Sequence, residues 1–398
     1  MRNLHVLILP SWYPTKESPL NGIFFKEQAE SLAQLGLKVG VLYPDLRSLR
    51  QLNTRSLREN QYQISRAEEN GVIVYRQAAW NLPVAVAKGW YQTFLTRQLY
   101  SRYVSEVGEP DVLHVHSALW AGIAAMDLKR RYKLPYIISE HSSAFARGLL
   151  SRYEMHTARA VFSHAAASVV VSNAFAQLLR AKLGIEDIEV IPNMVDTDFF
   201  SCNERTKKAG GPFIFLTVAF LTPNKGIDVL LKAFAAKFRG NPEVRLEIGG
   251  DGKQRAELER LSRELGISSQ VTFLGQLSRT QVREAMCRSN VFVLPSHVET
   301  FGVVLIEAMS TGTPVIATRS GGPEGIVDSL YGELVNPGDV QELAEALTAM
   351  KNTYGEYQQR SREIREYVIR GFSKESVVEK IVTQYERVVR VKENDLNV

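Results

Sequence analysis

From residue 213 onward, short apolar runs rich in β-branched and aromatic residues alternate with stretches whose apolar positions recur every three or four residues. "FIFLTVAF" is followed by "DVLLKAFAAKF", "VRLEIGG" by "KQRAELERLSRELG", and "VTFLG" by "SRTQVREAMCRS". "VFVLP" leads into "HVETFGVVLIEAMSTG" (297–312), "PVIAT" into "GPEGIVDS", and "GELVN" into "DVQELAEALTAMKN". Strands alternating with helices predict crossover units and a parallel sheet. The first half keeps this rhythm less regularly, with strands predicted at "LHVLIL", "KVGVLYP", "VIVYR", "VLHVHS", "PYIISEHS" and "SVVVSN". Helical stretches such as "FFKEQAESLAQLG" and "GIAAMDLKRRY" fall between several of them. The two patterns meet at the polar stretch "DFFSCNERTKKAGGP" (198–212), and a last helix, "SKESVVEKIVTQYERVVRVKEN", follows the second. The fold class predicted is α/β, with two doubly wound domains at 1–205 and 206–372 and a terminal helix at 373–398 packing back on the first. Two such sheets facing each other would place a cleft between their C-terminal edges, where α/β sheets bind ligands.

Composition narrows the class. A chain of 398 residues exceeds one ordinary core, and 45% apolar with 23% charged residues is the balance of a soluble globular protein. No apolar run approaches the roughly 18 residues a membrane span needs. The start, "MRNLHVLILPSWYP", lacks a small-residue cleavage site and reads as a first strand. Only Cys202 and Cys287 are present, and their spacing suggests neither a metal site nor a redox pair, so reduced thiols and a cytoplasmic setting are expected. The net charge is +5, with basic residues gathered at 47–60 and 127–133. Such clusters suit anionic lipid, phosphorylated ligands or nucleic acid, and equally a solvated helix face. "AVAKGWYQTFLTRQLYSRYV" (85–104) mixes aromatic and basic residues as an interfacial helix does, and also suits a helix packed on the first sheet.

The stretch 297–312 puts Glu299 and Glu307 eight positions apart around an apolar run. A buried, unpaired carboxylate is costly, so each needs a partner or a task. Neighbouring parallel strands at "VFVLP" and "PVIAT" require a crossover, so the run between them is expected to be helical despite its β-branched residues. Gly302 opens that helix, whose first N–H groups lack internal partners and form an anion site. The two carboxylates would then flank it, on the order of 8–10 Å apart. That layout suits a sugar nucleotide, with hydroxyls on both sides of a diphosphate; an N-cap glutamate plus a buried ion pair is the structural alternative. Lys225 lies in the turn after the strand at 213–220, placed for a phosphate or simply for solvent. Gly249, Gly250 and Gly252 in "IGGDGKQRAELERL" make a glycine-rich turn, a weak signal on its own.

Taken in order, Lys225-Gly226, "GGDG", "FLG", "PSHVETFG" and "STGTPVIATRSGG" resemble the motifs of family 4 glycosyltransferases, retaining enzymes of the GT-B fold. "DVLHVHSALWAG", "SEHSS", "VVVSNAF" and "VIPNMVDTDFF" extend the resemblance through the first half, and "SWYPTKESPLNGIFFKEQAESLAQLG" is similar to the branch that builds bacterial surface polysaccharides. The resemblance implies that Lys225 contacts the donor diphosphate, Glu299 the transferred sugar and Glu307 the ribose. It places backbone groups around Thr300, Phe301, Gly302 and Val303 near sugar and phosphates, with Gly250 and Gly252 also on the donor side. It puts His141 beside the reacting sugar and Gly22 in a close-approaching loop; His116 also reads as a structural histidine. Phe220 departs from the family, which usually has an arginine there; Arg319 is a candidate substitute.

The expected activity is transfer of a hexosyl group from a UDP- or GDP-sugar to a saccharide acceptor, free or lipid-linked, in surface polysaccharide or glycan synthesis. No metal and no cofactor beyond the donor substrate are expected, because no Asp-x-Asp pair sits at a strand end. Peripheral contact with the inner face of the membrane is an open expectation; a nucleic-acid partner is not expected. A sugar-nucleotide epimerase of the same fold and a non-catalytic sugar-nucleotide binder are the rival readings.

Overall fold

A computed structural model describes residues 4–15, 18, 21–48, 62–81, 84–202 and 211–396. The chain divides into two compact units. The N-terminal unit comprises Met1–Val171, Ala176–Ile191 and Val377–Val398; the C-terminal unit comprises Ser172–Phe175 and Pro192–Ser376. The basic run at 49–60 and most of the polar stretch at 203–210 lie outside the described residues.

The N-terminal unit is built on an eight-stranded sheet of order β3-β4-β2-β1-β5-β6-β7-β8. Its strands are β1 His5–Pro10, β2 Lys38–Arg47, β3 Ile64–Glu69, β4 Val72–Trp80, β5 Val112–His116, β6 Tyr136–Glu140, β7 Ala167–Val170 and β8 Glu189–Val190. All pair in parallel except β3, which runs antiparallel to β4 along the edge. The central strands β1 and β5 are buried along their whole length, which is why they read as near-continuous apolar runs. β3, "ISRAEE", is polar and exposed along its middle, so it carries no such signal. The helices include α1 Ile23–Gln34, α2 Ala85–Val107, α3 Ile123–Tyr132, α4 Arg152–His164 and α5 Asn173–Leu183. A capping box between Ser151 and Glu154 starts α4. From the other end of the chain, Tyr385 brings its hydroxyl within 2.5 Å of His114 Nδ1.

The C-terminal unit holds a six-stranded parallel sheet of order β11-β10-β9-β12-β13-β14. Its strands are β9 Phe213–Val218, β10 Val244–Gly249, β11 Val271–Gly275, β12 Val291–Leu294, β13 Val315–Thr318 and β14 Gly332–Val335. The crossovers are α6 Ile227–Phe238, α7 Arg255–Glu264, α8 Arg279–Arg288 and α9 Val303–Ser310, with α10 Val340–Asn352 after the last strand. Phe215, Phe234 and Phe238 join Leu230, Ile248 and Leu347 in a fully apolar core between sheet and helices. "GPEGIVDS" forms only a short 3-10 turn at Pro323–Gly325, because a proline and two glycines leave too few residues to close helical turns. Two further helices, α11 Tyr354–Gln359 and α12 Ser361–Phe372, precede the terminal helix α13 Lys374–Leu396.

Two expectations change. Cys202 and Cys287 are not free thiols: they form a disulfide across 85 residues. The segment leaving Phe200 lies beside α8, bringing the two Cα atoms to 5.7 Å, a proximity that linear spacing cannot reveal. Residues 192–202 also group with the C-terminal unit, whereas the sequence reading sets the border at 205/206. Asp196 pairs with Lys374 at 2.5 Å, and the Phe200 carbonyl accepts from Ser310 Oγ at 2.9 Å and Arg365 at 3.1 Å.

Candidate active site

The strand order of the C-terminal sheet reverses between β9 and β12, and each of these neighbours sends a loop off its C-terminal end. A crevice opens at such a point in doubly wound sheets. The loop after β9 carries Phe220 and Lys225, and the loop after β12 carries Glu299. Lys225 Nζ bonds Glu299 Oε1, which also accepts from Ser296 Oγ at 3.0 Å. Two more bonds tie these loops together: Asn224 Nδ2 donates to the Val298 carbonyl at 2.9 Å, and His297 N to the Asn224 carbonyl at 2.8 Å. Gly226 is required for this approach. Its φ is +62°, and a Cβ there would fall 2.1 Å from the Pro295 carbonyl oxygen. Ser296 and Asn224 escaped the sequence reading, since only the fold shows that Asn224 ties two loops 74 positions apart and that Ser296 holds Glu299 within its own loop.

Glu299 is held on its other side as well. Its N–H donates to the Ser320 carbonyl at 3.0 Å, and Glu299 bridges Gly321 in a parallel ladder beyond β13. Gly302, at φ +101°, then turns the chain into α9, whose first N–H groups open toward the same strand ends. Phe301 is buried, and Ser172 Oγ donates to the Thr300 carbonyl at 2.8 Å. Val303 and the half-buried Glu307 lie on α9 itself. Gly250 follows β10, where a Cβ would fall 1.9 Å from the Ala219 carbonyl oxygen, and Gly252 similarly meets Leu221 at 2.5 Å. The structure thus gathers Lys225, Gly250, Gly252, Glu299 to Val303 and the α9 start on the loops after β9, β10 and β12. Phe220, 73% exposed, stands on the first of these loops. Arg319 does not replace the missing cation there: its guanidinium donates to the Leu334 carbonyl at 3.3 Å, beside β14.

The N-terminal sheet reverses between β1 and β5, and its site-forming side chains are of another kind. Gly22, at φ +72°, starts α1, and a Cβ there would fall 2.6 Å from the Trp12 carbonyl oxygen. The turn it permits aims Phe24 and Phe25 at two imidazoles: Phe25 stacks on His116 at 4.3 Å, and both rings meet His141 at 5.4 and 5.1 Å. His116 Nδ1 lies 3.2 Å from His141 Nε2. Behind them, His114 Nε2 is 2.8 Å from Ser139 Oγ. Burial pushes His114 down to about 3 and His116 well below its ordinary value, and the neighbouring imidazoles add to the effect. Both are therefore neutral at physiological pH.

Glu140, the last residue of β6 and next to His141, is a carboxylate the sequence reading passed over. It is fully buried, and its oxygens accept from the backbone N–H of His141, Ser142 and Ala118 at 2.9, 2.8 and 2.8 Å. Burial raises its pKa against these donors. It pins the loop that carries His141 to the loop after β5.

Comparison with known proteins places this architecture. The Glycosyltransferase Family 4 model matches residues 22–199, and the Glycosyl transferases group 1 model matches residues 201–367. TuaC of Bacillus subtilis, named for a glycosyltransferase of teichuronic acid biosynthesis, is 29% identical over 379 residues, 87% of this chain and 88% of that one. Sucrose-phosphate synthase of Thermosynechococcus elongatus superposes with a TM-score of 0.77 at 21% identity, over 97% of this chain and 100% of that one. Anabaena HepE in complex with UDP-glucose gives 0.73 at 19% identity, over 96% and 100%. With both halves matched in order and both sheets wound as in these structures, the chain belongs to glycosyltransferase family 4 and has the GT-B fold.

Proposed function

We propose that this enzyme transfers a hexosyl group from a UDP- or GDP-sugar to a hydroxyl of a saccharide acceptor, free or lipid-linked, with retention of anomeric configuration. The observation that carries the reading is the Lys225–Glu299 pair, spanning the loops after β9 and β12 beside the open N–H groups of α9. A diphosphate brought to this crevice meets one cation and a helix start, the electrostatic means of stabilising a departing anion. Lys225 then turns from the carboxylate to the phosphate, and Glu299 orients the sugar hydroxyls. Glu307 is assigned the ribose; Thr300, Phe301, Gly302 and Val303 supply main-chain contacts, and Gly250 and Gly252 admit the donor to the backbone. The N-terminal unit is assigned the acceptor, with His141 and the Gly22 turn as its reacting edge.

In the proposed step the bond between C1 and the β-phosphate oxygen breaks while the acceptor oxygen bonds C1 from the same face. The acceptor proton passes to the leaving phosphate, so neither a covalent carboxylate intermediate nor a metal is invoked. TuaC and HepE, named for teichuronic acid synthesis and crystallised with UDP-glucose, support a sugar-nucleotide donor and a glycan product. The test is a thermal-shift screen over UDP-, GDP-, ADP- and dTDP-sugars, followed by proton NMR of the product made from the best donor. A UDP- or GDP-sugar that raises the midpoint and yields a product of retained configuration is expected. An inverted product overturns the mechanism; product formed without acceptor assigns an epimerase; binding without turnover assigns a sensor.

A further inference from the structure

A groove of about 1270 Å³ runs between the start of α2, one side of α3 and the end of α13, all within the N-terminal unit. None of the site residues described above lines it. Its existence follows from the sequence of the three helices. On α3, Ile123, Met126 and Arg130 recur at helical spacing and present one stripe to the groove, which Lys133 continues just past the helix end. On α13, Val388 and Val391 form the floor while Arg387 and Lys392 flank them. Gly89 lets α2 approach: a Cβ there would fall 2.8 Å from Ile123 Cδ1.

Two features of this groove call for an occupant. The first is exposed aromatic surface. Trp90 is 68% exposed and stacks on Phe94, 41% exposed, with ring centroids 6.0 Å apart and planes 11° apart. Farther along α2 the exposed residues are Gln98, Ser101, Arg102, Ser105 and Glu106, while Leu95, Leu99 and Tyr103 are buried. The aromatic and basic run at 85–104 is thus a packed helix over most of its length, and only the end at the groove is of interfacial type. The second feature is charge. Lys129, Arg130, Lys133, Arg387 and Lys392 line the groove. The one acid among the described lining residues, Asp127, already accepts from Arg97 at 2.6 Å and from Arg130 and Arg131 at 3.1 Å. Apolar floor, aromatic rim and excess cation coincide in one place.

We propose that this groove docks the N-terminal unit on the surface of a bilayer containing anionic phospholipid. Trp90 and Phe94 sit at the boundary between headgroups and acyl chains, where indole rings partition, and the five cations meet lipid phosphates. The long stems of the lysines and arginines cover apolar surface while their heads reach the phosphates. An acidic protein segment laid in the groove would satisfy the cations, but Phe94 is exposed outside the groove lining, and an extended lipid surface covers it as well. Neither aromatic nor charged contact suffices alone; paired, they give the two signals that stable peripheral binding needs.

The inference does not draw on the transferase reading, because docking is scored without donor or acceptor. The full chain is sedimented with phosphatidylcholine vesicles that contain or lack phosphatidylglycerol, at low and high salt. Pelleting with phosphatidylglycerol vesicles, falling as salt rises, is expected, with little on pure phosphatidylcholine. The double variant Arg387→Glu/Lys392→Glu and the single variant Trp90→Ser should each weaken binding by about tenfold or more while keeping the wild-type circular dichroism. Arg260→Glu/Arg362→Glu makes the same charge change at exposed sites of the C-terminal unit and should bind like wild type. Absence of pelleting with phosphatidylglycerol vesicles, equal pelleting on pure phosphatidylcholine, full binding by the groove variants, or an equal loss in the control variant would each overturn the proposal.

Discussion

Between β9 and β12 of the C-terminal sheet a lysine meets a glutamate, whereas between β1 and β5 of the N-terminal sheet phenyl rings meet imidazoles. Both sheets are wound outward from a reversal in strand order, and both place a positive-φ glycine near it, Gly226 in one and Gly22 in the other. The difference is electrostatic. The C-terminal crevice keeps a charged pair on loops, partly solvated. The N-terminal edge buries His114, His116 and Glu140, so its polar groups are fixed by the fold. One winding rule thus supports a partly solvated ion pair, proposed to receive the donor diphosphate, in one unit and neutral imidazoles beside a caged carboxylate in the other.

The largest expected effect tests the charged side of this contrast. Lys225→Ala should lower turnover of the correct donor by about 10²–10³-fold, because it removes the one side-chain cation assigned to the leaving diphosphate. Glu299→Ala should lower it comparably through loss of sugar orientation. Steady-state rates with the donor found by thermal shift give the answer, and near-normal rates in either variant would break the assignment.

The neutral side predicts a pH response. His114 falls from 6.5 to about 3 in the folded chain, and His116 is also lowered, both first through burial. A depressed folded pKa means that unfolding takes up protons below the unfolded value. The resulting stability is fully present above about pH 6.5 and is lost as pH falls toward 3. In the C-terminal unit the histidine is His297, which is exposed. Hydrogen exchange from pH 7.5 to 5 should therefore show protection falling earlier in β5 and β6 than in β9 and β12. Equal loss in both sheets would remove the contrast.

Much of this was legible in the sequence. The alternation of strands and helices gave all six strands of the second sheet, because β12 and β13 are buried runs and β10, β11 and β14 keep apolar positions among their polar ones. The helix at 303–310 was expected against its own β-branched composition, since adjacent parallel strands leave a crossover no alternative. Strand β3 was missed because a polar edge strand has no apolar run to announce it. The Lys225–Glu299 contact, the 202–287 disulfide and the Glu140 cage were not legible for one common reason: each depends on which loops the fold brings together. Glu140 is the instructive case. It stands beside His141 in the sequence, yet only its burial and its three backbone bonds show that it organises that loop.

A smaller effect is expected from Phe220→Arg. The exposed ring occupies the position for which the family resemblance implies an arginine, so the substitution should tighten nucleoside diphosphate binding by roughly threefold to fivefold, the worth of one solvent-exposed ion pair. A lower KM with little change in kcat is the matching kinetic signature; weaker binding would place Phe220 in a stacking role.

The most direct test of the division between the two units is calorimetric titration of UDP and GDP into the wild type, Lys225→Ala and His141→Ala. If the units divide in this way, the wild type binds saturably, Lys225→Ala binds about tenfold or more weakly, and His141→Ala keeps wild-type affinity. Weakened binding in His141→Ala with full affinity in Lys225→Ala would contradict that division.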